Sequence, residues 1–182
     1  MNLLLLLANG FEEIEALGTL DLLRRGNVSV TTCTLNQTPL TLGAHNIAVE
    51  AELCLTELDS TQFDGVILPG GMGGSQALAA TQGVLELLRD YQQQNKWICA
   101  ICAAPALVLT AADVIGDRKA TCYPAPEFID ALGERYTDAP AYTDGNLITA
   151  AGPGCFTHFA KAILDAVAPG VSEGVFQAAL IK

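Results

Sequence analysis

Basic residues are scarce in this chain: nine Lys and Arg stand against twenty Asp and Glu in 182 residues, a net charge of −11. The nine form no run. An acidic surface repels phosphate backbones and anionic lipid, which excludes stable nucleic-acid binding and a membrane-surface role. Histidine is rarer still, with His45 and His158 alone. No His/Cys/Asp spacing suggests a metal site, and neither histidine adjoins a candidate nucleophile in sequence, so a conventional Cys–His hydrolase is poorly supported. Long apolar runs are missing too. Residues 98–112 are apolar but contain Pro105 and fall short of the roughly 20 residues that a membrane span needs. The apolar start, Leu3 to Ala8, has no basic flank and runs into Glu12-Glu13, so it is not read as a targeting signal. There is no repeat, no linker and no G-x-x-x-x-G-K-S/T phosphate loop. These absences point to a cytoplasmic protein with no metal and no cofactor.

What is present is apolar and regularly punctuated. Hydrophobic residues make up 51% of the chain, enough for one domain over residues 1–182 with a sizeable core. Apolar runs at 2–8, 28–33, 65–68, 97–101, 119–123 and 147–150 read as strands. Helical patterns are expected at 12–25, 75–80, 82–94, 103–109, 127–132, 156–166 and 171–180. Residues 38–52 look like a small hairpin or edge strands, and Asp144-Gly145-Asn146 makes a turn. Nearly continuous apolar strands alternating with helices predict one doubly wound α/β domain, its mostly parallel sheet covered on both faces. In such folds ligands sit outside the carboxyl ends of the strands. Residues 10–15, residues 69–74 and Cys102 all fall at such ends.

Cys102 is the most informative of these. It ends the strand Trp97-Ile98-Cys99-Ala100-Ile101 and opens the apolar helix from Ala103, so it occupies a sharp turn at the positive end of a helix dipole. These conditions favour an exposed thiolate. Cys99 completes a C-x-x-C spacing, yet three strand residues place the two Cα atoms about 10 Å apart on opposite faces, beyond the roughly 7 Å limit for a disulfide. The six cysteines, Cys33, Cys54, Cys99, Cys102, Cys122 and Cys155, are expected as thiols. Cys122 reads either as a second oxidisable thiol near the same crevice or as a small buried residue.

Three acids precede the first helix. Glu12 and Glu13 suit a helix N-terminus on dipole grounds alone. Glu15 shares a stripe with Thr19, Leu22 and Leu23. Drawn toward the sheet, its carboxyl is desolvated and its pKa rises. If Glu15 meets Cys102 it must be the neutral acid, because a carboxylate there would disfavour thiolate. The run Leu68-Pro69-Gly70-Gly71-Met72-Gly73-Gly74 reads as a cradle of N–H groups for an oxyanion, as a phosphate loop, or as a flexible turn.

Four motifs then combine: Ala8-Asn9-Gly10-Phe11-Glu12-Glu13-Ile14-Glu15, Leu68-Pro69-Gly70-Gly71, Ala100-Ile101-Cys102-Ala103-Ala104-Pro105 and Gly152-Pro153-Gly154. Together they resemble the ThiJ/PfpI superfamily, in its DJ-one/YajL-like branch. The resemblance implies a flavodoxin-like fold, a homodimer and a nucleophile-elbow cysteine at Cys102, with Glu15 as the protonated acid. It places backbone N–H groups of Gly71 and Ala103 at the sulfur, with Gly70 beside them. Tyr123, Cys122, Gly152 and Pro153 are the candidate pocket walls. The implied activities are deglycation of methylglyoxal or glyoxal adducts on proteins or nucleotides, and cofactor-free glyoxalase chemistry on small aldehydes. The alternative is a redox sensor or chaperone switched by oxidation of Cys102. Peptidase activity is doubtful, since protease-like members carry a histidine where Ala103 stands. Tyr123 occupies the position of a histidine in human-like members, which leaves Tyr123 or His45 as an open assistant.

Overall fold

A computed structural model describes residues 1–181. Its main sheet has seven strands in the order β5-β2-β1-β6-β7-β9-β8. They are β1 (Asn2–Leu7), β2 (Ser29–Thr34), β5 (Leu53–Cys54), β6 (Gly65–Leu68), β7 (Trp97–Ile101), β8 (Ala141–Asp144) and β9 (Leu147–Ala150). All neighbours pair in parallel except β8 and β9, which form an antiparallel hairpin. A separate two-stranded hairpin joins β3 (Leu40–Leu42) to β4 (Ala48–Glu50).

Parallel strands buried on both faces carry apolar side chains at every position, and the central strands do so here. Leu4, Leu6, Val66, Leu68, Ile98 and Ala100 point into one core. Their alternates Leu3, Leu5, Leu7, Ile67, Cys99 and Ile101 point into the other. The first core is closed by α2 (Met72–Ala80), α3 (Gln82–Gln93), the turn after β7 and α5 (Pro126–Leu132). The second is closed by α1 (Thr19–Arg25), α6 (Phe156–Val167) and α7 (Ser172–Ala178). This is the flavodoxin-like, doubly wound architecture that the alternation of strands and helices predicts.

One expected strand is absent. Residues 119–123 make a lone bridge, Ala120 to Tyr136, instead of joining the sheet. The neighbouring edge of β7 is already taken by β9. The segment's N–H groups therefore go elsewhere, Thr121 N to Thr149 Oγ1 and Tyr123 N to the Cys102 carbonyl. The strand chemistry of Lys119 to Tyr123 is thus used to brace the elbow. The helices beside the site also start differently from the simple expectation. Ile14–Gly18 and Pro105–Leu109 are π-helical turns, running into α1 and into the short α4 (Thr110–Ala112).

Candidate active site

The strand order puts β1, β6 and β7 side by side at the centre of the sheet. Their carboxyl ends release the chain toward Glu15, Gly70-Gly71 and Cys102 respectively. The chain leaves β1 for β2 on one side and, after β5, crosses back to β6 on the other side of β1. The three segments therefore meet at the switch point, where an open α/β sheet leaves a crevice.

Cys102 adopts φ +66°, in the left-handed region. Such a conformation is costly for a residue with a side chain, and it persists only where the surroundings enforce it. Here Cys102 N donates to the Ala150 carbonyl at 2.9 Å, and the Cys102 carbonyl accepts from Tyr123 N at 2.8 Å. The elbow is thereby tied to β9 and to the 119–123 segment. The sulfur faces the backbone N–H groups of Gly71 and Ala103 and the Glu15 carboxyl.

Glu15 lies on the inner side of its π-helical turn, with no exposed surface. Its Oε2 accepts from Gly70 N at 2.7 Å, and the carboxyl lies beside the Cys102 side chain, the two meeting across Gly70. Its Oε1 meets no donor among the described residues. A buried oxygen without a donor cannot compensate a full negative charge. Burial accordingly raises the Glu15 pKa to about 7, against the pull of the Gly70 N–H. The stripe expected from sequence is real, since Thr19, Leu22 and Leu23 are buried with it.

The thiol differs from expectation. Burial and the neighbouring Glu15 push Cys102 up to about 12, while the Gly71 and Ala103 N–H groups pull it down. The sulfur is half-buried, so the expected exposed, dipole-stabilised thiolate is corrected to a thiol sharing its site with a carboxyl. Two groups in contact release protons as a pair. The first proton leaves near the Glu15 value, and the resulting single charge rests mainly on the carboxylate, with a thiolate beside neutral Glu15 as the minor form in constant proportion to it.

The glycine run serves two purposes. A Cβ on Gly70 would lie 2.5 Å from both Cys102 Cβ and Glu15 Oε2, so this position must be bare for cysteine and acid to meet. A Cβ on Gly71, at φ +84°, would lie 2.2 Å from the Gly10 carbonyl oxygen. Gly74 likewise presses on the Phe11 backbone. The run is thus mostly an interlock between the loops after β1 and β6, and α2 begins within it at Met72.

A cleft of about 260 Å³ opens over the sulfur, lined by Cys102, Gly71, Ala103, Tyr123 and Pro153 together with Glu12, Met72, Ala125, Glu127 and Phe128. Tyr123 and Pro153 therefore stand where expected. Cys122 and Gly152 do not. Cys122 is fully buried in the core beneath α5, and Gly152 is buried behind the Tyr123 ring. Burial raises the Cys122 thiol to about 11, so the small-buried-residue reading holds for it. Cys99 faces the opposite core from the cleft, and all six cysteines are free thiols.

Tertiary contact supplies pairings that the sequence did not signal. His45, in the β3–β4 turn, donates its backbone N–H to Glu13 Oε1 and bonds Glu13 Oε2 through Nδ1, each at 2.7 Å. Burial raises Glu13, but these bonds outweigh it and hold the carboxyl below its ordinary value. The bond to Glu13 raises His45 in return. Ligand atoms of Glu12, Glu13 and His45 come within 4.8 Å of one another, although both Glu13 oxygens are already engaged by His45. Glu12, Glu127 and Phe128 were hidden because their chain positions show nothing beyond ordinary helix starts. His158 borders a separate surface hollow beside Lys161.

Comparison with known proteins finds clear relatives of this chain. The profile of the DJ-1/PfpI family matches residues 1–166. Protein dj-1beta of Drosophila melanogaster is 36% identical over 91% of this chain and 88% of its own length. Protein DJ-1 homolog B of Arabidopsis thaliana is 33% identical over 87% of this chain, which spans only 36% of that longer protein. Among solved structures, Drosophila melanogaster DJ-1beta superposes with a TM-score of 0.93 at 34% identity, covering both chains fully. A mutant of a DJ-1 superfamily protein from Salmonella typhimurium gives 0.93 at 33% identity, covering 100% of this chain and 98% of that one.

Proposed function

This chain belongs to the DJ-1/PfpI family, and from that premise we propose that it is a cysteine-dependent enzyme of aldehyde damage, acting on methylglyoxal- or glyoxal-type carbonyls or their adducts. The observation that carries the reading is the fully buried Glu15 carboxyl beside the Cys102 sulfur at the floor of an open cleft, where burial raises its pKa to about 7. A proton carrier works best with a pKa near the working pH.

In the proposed reaction the Cys102 sulfur bonds to the aldehyde carbon. Its proton passes to the Glu15 carboxylate, and the carbonyl π pair moves onto oxygen. Glu15 returns the proton to that oxygen, giving a hemithioacetal. With a 1,2-dicarbonyl, the same carboxyl then moves the proton of the first carbon to the second while the hemithioacetal hydroxyl proton passes to the neighbouring carbonyl oxygen, giving a 2-hydroxy thioester. Water releases the hydroxy acid and restores the thiol, so the net change is addition of water. The N–H groups of Gly71 and Ala103 stabilise negative charge on sulfur before attack and on the adjoining oxygen after it. Tyr123 contacts substrate from the cleft wall. No step needs a metal or cofactor.

The test is turnover of methylglyoxal to lactate by wild type and Cys102→Ser. Loss of at least a thousandfold is expected from removing a covalent nucleophile, whereas retained turnover sinks the proposal. A second reading has its own support. Among the described residues the cleft holds no second cysteine, so an oxidised Cys102 has no resolving thiol there. Two successive oxygen transfers from peroxide, each releasing water, carry it to sulfinate, hydrogen-bonded by neutral Glu15. Peptide mass spectrometry after mild peroxide decides this one, because a sensor requires selective gain of two oxygens at Cys102.

We also propose a homodimer. Ile14, Leu40, Leu42 and Ile47 are large, apolar and exposed, and they sit on the β3–β4 hairpin or on the helix start it adjoins. Ala44 N donates to the Phe11 carbonyl, and Gly10 N to that of Leu42, fixing the two pieces together. An apolar patch of this kind marks an interface, and a two-fold partner is the commonest occupant.

A further inference from the structure

The cleft above Cys102 has a sign. Its charged walls are Glu12 and Glu127, and no Lys, Arg or His lines it among the described residues. The remaining walls include Met72, Phe128 and the Tyr123 ring. Outside the cleft, His45 Nδ1 lies 3.8 Å from Glu12 Oε1. It is held closer, at 2.7 Å, by Glu13 Oε2, so Glu13 neutralises it first. Even with His45 protonated, Glu12, Glu13, Glu127 and His45 together remain negative.

Low-dielectric walls focus the field of such charges into the cleft, and aromatic rings add their own attraction for cations. We propose that Glu127, together with Glu12, is a specificity determinant that admits cationic ligands to Cys102 and rejects anionic ones. The ligand class is then an aldehyde adduct carried on a guanidinium or ammonium group, such as a modified peptide side chain. Nucleotide adducts, with their phosphates, and carboxylate-bearing aldehydes are disfavoured. The choice among substrates rests on the aldehyde reading above; the charge filter itself rests on the cleft alone.

The test therefore reads Cys102 chemistry without turnover. Wild type, Glu127→Gln and Glu127→Lys are treated with two methanethiosulfonates, one bearing a trimethylammonium group and one a sulfonate. In each case the Cys102 sulfur attacks the thiosulfonate, a mixed disulfide forms, methanesulfinate leaves with the bonding pair, and the thiol proton passes to solvent. Rates are followed at the Cys102 peptide by mass spectrometry, because Cys155 is also partly exposed, and are normalised to 2-mercaptoethanol.

Wild type should favour the cation. The cation-to-anion ratio should fall about threefold in Glu127→Gln and about tenfold in Glu127→Lys, and should shrink at high salt. Glu127 is exposed at the start of α5, so these variants should keep the fold, as circular dichroism can verify. Glu86→Gln makes the same charge change on an exposed face of α3 and should leave the ratio alone. An unchanged ratio in both Glu127 variants overturns the inference, as does an equal change from Glu86→Gln. A charge filter without methylglyoxal turnover removes only the catalytic reading, and turnover without a filter removes only this inference.

Discussion

At the scale of the residue, Glu15 makes stability depend on pH in an unusual direction. Its folded pKa, about 7, lies above the ordinary 4.5. Between those values the unfolded chain gives up the proton while the folded one keeps it. The folded state is therefore penalised progressively as pH rises from about 4.5 to 7, and the penalty is constant above that. At its full extent it is about 3 kcal/mol. Glu15→Gln keeps the shape and cannot ionise. Its Tm relative to wild type should therefore climb between pH 5 and pH 8 in thermal melts. A constant difference across that range would show that the carboxyl is not held neutral by burial. The stripe of Glu15 with Thr19, Leu22 and Leu23 was legible in the sequence, because helical periodicity reports which residues turn inward. The raised Cys102 thiol was not. A helix-dipole argument sees the turn, but not how deeply two neighbouring loops bury it.

At the scale of the element, the site depends on loops that fit only if certain Cβ atoms are missing. Gly71 and Gly116 both have positive φ, +84° and +60°. They differ in surroundings: a Cβ at Gly71 strikes backbone at 2.2 Å, while one at Gly116 meets nothing within 4 Å. Gly116→Ala should cost about 1 kcal/mol, the left-handed strain alone. Gly71→Ala should cost at least about 2 kcal/mol more, because rigid backbone must shift. Urea unfolding of the two variants measures the difference, and similar losses would refute the interlock. The glycine run was visible in the sequence as a place for close approach. What approaches it was not, because the Gly10-Phe11 backbone arrives from another strand end. The 119–123 segment illustrates the same limit. Its composition favours a strand, but β9 already occupies the edge it would need, and residue preference does not record which edges are free.

At the scale of the whole molecule, alternation of apolar strands with helices was enough to identify the central strands of the sheet and its two covered faces. Nearly every central strand buries both faces, so the sequence leaves few other topologies. The β3–β4 hairpin stands apart from that sheet and carries the exposed Leu40, Leu42 and Ile47. If it forms a two-fold interface, Ile47→Asp places a charge within an apolar contact and should convert a dimer to a monomer in sedimentation equilibrium. A monomeric wild type would contradict the proposed assembly. No helix of the described residues is long and apolar enough to cross a membrane.

The central claim joins these scales: three strand ends bring one carboxyl and one thiol together so that they titrate as a pair. The most direct test is the rate of Cys102 carboxamidomethylation by iodoacetamide across pH 5 to 10, in wild type and Glu15→Gln, read at the Cys102 peptide. The account predicts a wild-type rate that rises through a midpoint near pH 7 and a midpoint displaced upward in the variant, where the buried thiol must ionise without a carboxyl to share its proton. Superimposable profiles would contradict it.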